Sequence, residues 1–313
     1  MDILGAERPN DKKYMSLKRK RILITGGKGF IGSNINLYLT SLGSKVETFD
    51  LEDGKDITNE KCLTDSVKKK YDVIIHLAGF SGNTESNENV YKSFYINTFP
   101  TAKLCDLICK FSPSTKLILS SSRLEYGIPK YLPVDEKHPL NPISAYGLSK
   151  LTSTQIAIVY ALRKNLNVTI FRTSNVYGPH TKKIFTGYNL VNHFIDLAKS
   201  GKELTIFGNG TQQRDYIYID DLINAFTLAI FNVNSRGQIY NLGSGKGISI
   251  LEMAQTIIRT AGKGRIRFMD WPKKYSEVET GNYITDLKKI KSELGFCPIT
   301  DFSQGIKKTI AAV

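Results

Sequence analysis

A chain of 313 residues can bury a large core and exceeds the usual size of one compact domain. Apolar residues at 41% and charged residues at 23% are ordinary for a globular protein, and no apolar run is long enough to span a bilayer. The formal charge of +14 invites a nucleic-acid reading, yet the lysines are scattered, and the clusters Lys18–Arg21 and Lys68–Lys70 fall at a tail and a helix end. Solvated surface lysine, or attraction of an anionic substrate, accounts for them better.

Residues 1–20 are polar and basic and read as a loosely ordered tail. Ile22 to Ile24 is a short apolar strand, followed by Gly26-Gly27-Lys28-Gly29-Phe30-Ile31-Gly32. Gly26, Gly29 and Gly32 are spaced for a tight turn that lets a pyrophosphate approach the backbone and a helix pack close behind it. The N–H groups at that helix start favour phosphate. Phe30 to Leu42 is the expected helix and Lys45 to Phe49 the second strand. Asp50 closes that strand about twenty residues past the glycine turn, where a carboxylate accepts both hydroxyls of an adenosine ribose and repels a 2′-phosphate. The expected cofactor is NAD rather than NADP.

Glu60 to Lys70 reads as helix and Asp72 to Leu77 as the third strand, running into Ala78-Gly79. Phe94 to Phe111 is expected as one long helix, Thr115 to Leu119 as a strand, Ser149 to Asn165 as a helix and Val168 to Arg172 as a strand. Such alternation predicts an α/β fold with a doubly wound parallel sheet over residues 21–173. Beyond Ser174 the regularity breaks, and residues 174–313 read as a smaller substrate-binding region, with parts packing back on the first. Four cysteines at irregular spacing suggest packed thiols in a reducing cytoplasm, and four unclustered histidines argue against a metal site.

Two stretches carry chemistry. Tyr146 and Lys150 lie four apart on a helix, hence on one face, and a lysine beside a phenol favours the phenolate that serves as a base. Ser120-Ser121-Ser122 ends a strand, where side chains face the ligand crevice, so Ser122 can meet a substrate oxygen beside Tyr146.

Taken with the glycine turn, Asp50, His76-Leu77-Ala78-Gly79 and Tyr126-Gly127, these residues resemble the extended short-chain dehydrogenase/reductases, in their nucleotide-sugar epimerase/dehydratase branch. The similarity continues through Phe171 to Pro179, Leu204 to Gly210, Arg214 to Leu222 and Tyr240 to Gly245. The resemblance implies a Rossmann fold and NAD held by Gly26, Gly29, Phe30, Ile31, Gly32 and Asp50. It also places Asp56-Ile57 beside the adenine and Leu77, Ala78, Gly79 and Asn97 near the cofactor. Tyr146 becomes the base, Lys150 the holder of the nicotinamide ribose, and Ser122 the partner of the reacting oxygen. Asn175, Asn189 and Arg214 fall where the branch contacts a nucleotide diphosphate, a role that suits a guanidinium.

Dehydratases and decarboxylases of the branch are similar in placing a carboxylate two residues after the Ser/Thr. Here that position is Leu124, and Glu125 is one further on. Unless the turn shifts, no acid serves an elimination. Reactions needing only NAD, Tyr, Lys and Ser then remain: epimerisation at C4 by transient oxidation, or net 4-dehydrogenation or 4-ketoreduction. A non-catalytic dinucleotide-binding regulator is the rival of another class. Asp270-Trp271-Pro272 and Glu277 to Gly281 replace the arginine and acid that relatives often place on the nucleoside, and leave the base open. Surplus apolar residues (Leu104, Leu107, Ile108 and Phe111; Ile156, Ile158, Val159, Tyr160 and Leu162) occupy the two helices that pair between copies in similar enzymes, so a homodimer is expected.

Overall fold

The computed structural model describes residues 17–179 and 189–312. In chain order its first half comprises β1 (Arg21–Thr25), α1 (Phe30–Ser41), β2 (Lys45–Phe49), α2 (Glu60–Val67), β3 (Val73–His76), α3 (Asn83–Glu88), α4 (Val90–Asn97), α5 (Phe99–Phe111), β4 (Lys116–Ser122), α6 (Ala145–Lys164) and β5 (Val168–Thr173). The second half comprises β6 (Asn175–Tyr177), α7 (Leu190–Lys199), β7 (Glu203–Phe207), β8 (Gln213–Tyr218), α8 (Ile219–Phe231), β9 (Gln238–Leu242), β10 (Gly247–Ser249), α9 (Ile250–Ala261), β11 (Arg265–Met269), α10 (Lys273–Ser276), α11 (Lys288–Leu294) and α12 (Phe302–Ala312).

Six parallel strands form the main sheet in the order β2-β1-β3-β4-β5-β9. Successive residues of each strand enter opposite layers. Ile22, Ile24, Val73, Ile75 and Ile118 meet Ile35 and Leu39 of α1 and Leu222 and Phe226 of α8. Leu23, Ile74, Leu117 and Leu119 meet Leu63 and Val67 of α2, Leu104 and Ile108 of α5 and Ala157 of α6. Strands covered on both faces need apolar residues at nearly every position, and each such side chain contributes about 1.5–3 kcal/mol. The doubly wound sheet expected from the sequence is therefore present.

The chain leaves this sheet just after β5. Ser174 passes it into β6, which pairs with β8 in a second sheet ordered β10-β8-β6, while β11 and β7 form a two-stranded one. β9 returns to the edge of the main sheet beside β5, so the C-terminal half completes the core of the first.

Three sequence expectations are corrected. The helix read from Phe94 to Phe111 is two helices that meet at Thr98. Pro100 explains the break: it has no N–H to donate and disfavours helical backbone before it, but is well tolerated in a first turn. The helix read from Ser149 begins at Ala145, because Ser144 caps it by accepting the Gly147 N–H at 3.1 Å. Residues 17–20, counted with the tail, are held in place: Leu17 is fully buried, its carbonyl accepts from Ser44 Oγ at 3.0 Å, and Arg19 N donates to Gly43 O at 3.0 Å. Residues 1–16 lie outside the described residues.

Candidate active site

The strand order reverses at β1, so the crevice above the C-terminal ends of β1 and β3 is where an open α/β sheet takes its ligand. The glycine turn lies there. A side chain at Gly32 would collide with the Gly26 carbonyl oxygen, so only glycine lets α1 start this close to the turn. Asp50, at the end of β2, reaches the same place: its Oδ2 accepts the Lys28 N–H at 3.0 Å and its Oδ1 the Glu52 N–H at 3.2 Å. These bonds fix the carboxylate beside the glycine turn. Asp56 accepts from Thr58 N and Thr58 Oγ1, both at 2.8 Å, and Ile57 is buried next to it.

Opposite, β3 ends in a buried polar chain. Thr25 Oγ1 and His76 Nδ1 are 2.6 Å apart, and His76 Nε2 and Thr101 Oγ1 3.0 Å. Burial, with the charge of Lys150 adding to it, pushes His76 down to about 3, so the ring is a neutral spacer. Thr25 Oγ1 also accepts from Leu77 N and Ala78 N at 3.2 Å. Asn97 clamps the following loop, accepting from Phe80 N at 2.7 Å and donating to Phe80 O at 3.0 Å and to Ser149 Oγ at 2.9 Å. Its amide is spent on holding Gly79-Phe80 against α6, so it shapes the crevice through that loop.

The chemical residues converge where α6 starts. Gly147 lets the first turn press on the loop after β4, since a Cβ there would come within 2.5 Å of Leu124 O. That approach brings Tyr146 to Ser122, the last residue of β4. Burial raises the Tyr146 phenol to about 12; its hydrogen bond with Ser122 pulls the other way and the Glu125 charge pushes it further up. Lys150 donates to Ser120 O at 2.6 Å, and burial brings its ammonium down to about 8 against the opposing pull of Glu125. The expected lowering of Tyr146 by Lys150 is thus not the local balance. Among these side chains, Ser122 supplies the lowering.

Glu125 does not turn toward the crevice. Fully buried at the end of a 3-10 turn (Arg123–Glu125), it accepts from Arg172 Nε at 2.6 Å, from Thr154 Oγ1 at 2.6 Å and from Ser121 Oγ. Arg172 in turn donates to Tyr126 OH at 2.9 Å, and Tyr126 OH to Asn241 Oδ1 at 2.7 Å. Both carboxylate oxygens are committed to a buried network under the site.

On the far wall, Arg214 of β8 donates to the carbonyls of Gln213 and Gly281 and pairs with Glu279. Asn175 donates to Asp215 O at 3.1 Å. Asn189 caps α7 and donates to Val176 O at 2.7 Å. All three belong to the second sheet and its borders, and Asn175 lies two residues past Thr173, the register partner of Ser122. Two residues carried no role in the sequence. One is Glu279, whose pairing with Arg214 spans 65 positions and has no local signal. The other is Arg123, whose signal is its place next to Ser122.

A parallel sheet with a glycine turn at its switch point is the architecture of a dinucleotide-binding enzyme. The family model for the NAD dependent epimerase/dehydratase family matches residues 22–243, and the chain belongs to that family. It is 32% identical over 303 residues, 92% of this chain and 97% of the relative, to a putative UDP-glucose 4-epimerase of Methanocaldococcus jannaschii. It is 29% identical, over 98% of this chain and 77% of the relative, to UDP-glucuronic acid decarboxylase 1 of Xenopus tropicalis. Its fold is similar to that of the Thermotoga maritima UDP-glucose 4-epimerase solved with UDP-glucose, with a TM-score of 0.85 at 26% identity over 93% of this chain and 98% of that one. The chain is accordingly an enzyme of the extended short-chain dehydrogenase/reductase type, and its cofactor is NAD. The turn that Gly32 leaves open and the fixed carboxylate of Asp50 fit the phosphates and the adenosine ribose of that cofactor.

Proposed function

We propose that the protein is a nucleotide-sugar C4 epimerase. The observation that carries this reading is the Tyr146–Ser122 hydrogen bond, with Lys150 one turn along and the nearby carboxylate of Glu125 locked in its ion pair. When bound, oxidised NAD would supply a reversible hydride acceptor and a positive ring that favours the phenolate of Tyr146. Tyr146 takes the proton of the sugar hydroxyl and gives it back after the sugar has turned over. Ser122 holds the reacting oxygen through both halves. Lys150 holds the ribose and keeps a positive charge near the phenol. Arg214 takes the diphosphate once Glu279 yields it, and Asn175 and Asn189 shape the wall around it. An elimination or a decarboxylation is the less supported reading, since no carboxylate of the Ser122–Glu125 turn is free to act as acid or base. The relatives that act on UDP-sugars make a UDP-sugar the first substrate to try.

The decisive measurement follows the hydride. Substrate deuterated at C4 should return sugar that keeps its deuterium at C4 with inverted configuration, and the protein should need no added NAD. Deuterium on nicotinamide or on an added oxidant, with a keto sugar left behind, would instead assign a 4-dehydrogenase. No turnover of any nucleotide sugar would favour a cofactor-binding regulator.

A homodimer belongs to the same proposal, on a revised surface. Leu104, Leu107 and Ile108, expected to be surplus, are buried in the chain's own core. What stays exposed on α6 is Leu148, Val159 and Leu162, which with Thr152 and Gln155 repeat at four- and three-residue steps along one face. Tyr91 and Tyr95 of α4 and Phe99 of α5 extend it. Helices α4 and α5 both pack on α6, so these residues belong to one continuous side, suited to a second copy. Light scattering at micromolar concentration should give twice the chain mass of 35.1 kDa, and a monomer would reject the assignment. The four unpaired cysteines suit a reducing cytoplasm, and no helix among the described residues is long and apolar enough to cross a membrane.

A further inference from the structure

Arg123 follows Ser122 directly, yet the chemistry above makes no use of it. Its side chain is only 8% exposed. Among the described residues its guanidinium makes one hydrogen bond, from Nη1 to Thr280 Oγ1 at 3.0 Å, and lies 5.1 Å over the Tyr283 ring. Glu125, two positions on, is taken by Arg172, and Glu279, next to Thr280, by Arg214. Consecutive residues of one loop, Glu279 and Thr280, therefore hold Arg214 and Arg123 side by side. Burial and the charge of Arg214 together bring Arg123 down to about 10. A guanidinium has five donors, and a buried cation beside a second cation is costly unless an anion completes it.

The position of the unmet charge says which anion. Arg214 stands on β8, at the wall assigned to the diphosphate, and its own charge is paired with Glu279. Arg123 leaves the chain next to Ser122, and its guanidinium reaches from the reacting end of the sugar toward that wall, ending at Thr280. A hydroxyl or acetamido oxygen there would accept a hydrogen bond but would leave the charge uncompensated. A carboxylate supplies both the charge and a bidentate match to the guanidinium plane.

We propose that Arg123 binds a carboxylate carried by the sugar, so that the preferred substrate is a nucleotide-linked uronic acid rather than a neutral hexose. The proposal rests on the nucleotide-sugar reading of the Ser122–Tyr146 site, but not on which reaction follows. Thr280 orients the guanidinium and Tyr283 supports its face. The excess of basic residues, +14 over the chain, favours a substrate that adds a carboxylate to the two charges of its diphosphate.

Calorimetric titration of the NAD-loaded protein with UDP-glucuronate and with UDP-glucose tests it. The wild type should bind the uronate at least about tenfold more tightly, the usual worth of one charge-assisted pair. Arg123→Met should abolish that preference while changing UDP-glucose affinity less than about threefold. Arg123→Lys should keep part of it. Equal affinities in the wild type would overturn the proposal without any variant having to fold. So would a preference that survives in Arg123→Met, or an equal loss of both ligands, which would move Arg123 to the diphosphate. Product analysis of the same mixtures separates this outcome from the epimerase reading. A preference for the uronate without inversion at C4 upholds Arg123 and rejects the epimerase. Inversion of the neutral sugar with no preference does the reverse, and binding of neither sugar rejects both.

Discussion

Tyr146→Phe should lower turnover at least about a hundredfold, the ordinary scale of a positioned acid–base group, while leaving the bound cofactor nearly unchanged. The ring stays where it packs at the start of α6, so the substitution removes one oxygen and little else. That oxygen is bonded to Ser122, the last residue of β4. Burial holds the phenol near 12 in the chain alone, so Tyr146 is a strong base that is seldom free at neutral pH. In the proposed reaction its usefulness depends on the hydrogen bond with Ser122 and on the positive ring that oxidised NAD would bring. The phenylalanine variant should therefore lose the chemical step at every pH, with little change in the concentration of nucleotide sugar that half-saturates it. Near-normal turnover would make Tyr146 a packing residue and move the proton transfer elsewhere.

Much of this site could be read along the chain because its parts are local. A glycine triplet after an apolar strand, an acid after the next strand, and a Tyr and Lys one helical turn apart each have a fixed spacing that serves a physical need. The sheet was legible for a related reason: buried parallel strands must be apolar at every position, as in Val73 to Ile75 and Leu117 to Leu119. What could not be read depends on contacts between distant residues. Whether Glu125 faces the crevice or the core is decided by Thr154, 29 positions later, and Arg172, 47 positions later. Leu104, Leu107 and Ile108 look like surplus apolar surface until α2 and the sheet are laid against them. The break at Pro100 and the cap at Ser144 were different. Both signals are local and both hold in the structure, but the longer apolar pattern around them masks them in the sequence.

Glu125→Ala should cost about 3–5 kcal/mol of stability, because it strands the Arg172 guanidinium in the core. Glu125 is fully buried and Arg172 only 2% exposed, so water cannot replace the missing carboxylate. Burial alone would depress the pKa of Arg172, but Glu125 and Tyr126 more than offset it, and the guanidinium stands above its usual value. After the substitution, among the described residues, Tyr126 OH is the partner left to it. Ser121 also loses its acceptor, and Thr154 keeps only Ser121 Oγ at 3.1 Å. Urea unfolding should show a lower midpoint at an unchanged slope. The sign of the effect can be separated from simple loss of volume. The double variant Glu125→Val with Arg172→Met removes both charges and fills the space, so it should recover most of the loss, since an apolar pair often replaces a buried ion pair at little cost. Recovery would show that the single variant suffers from an orphaned charge. If Glu125→Ala loses less than about 1 kcal/mol, the pair behaves like a solvated surface bridge, and Glu125 is free enough to be reconsidered as the acid of a second chemical step.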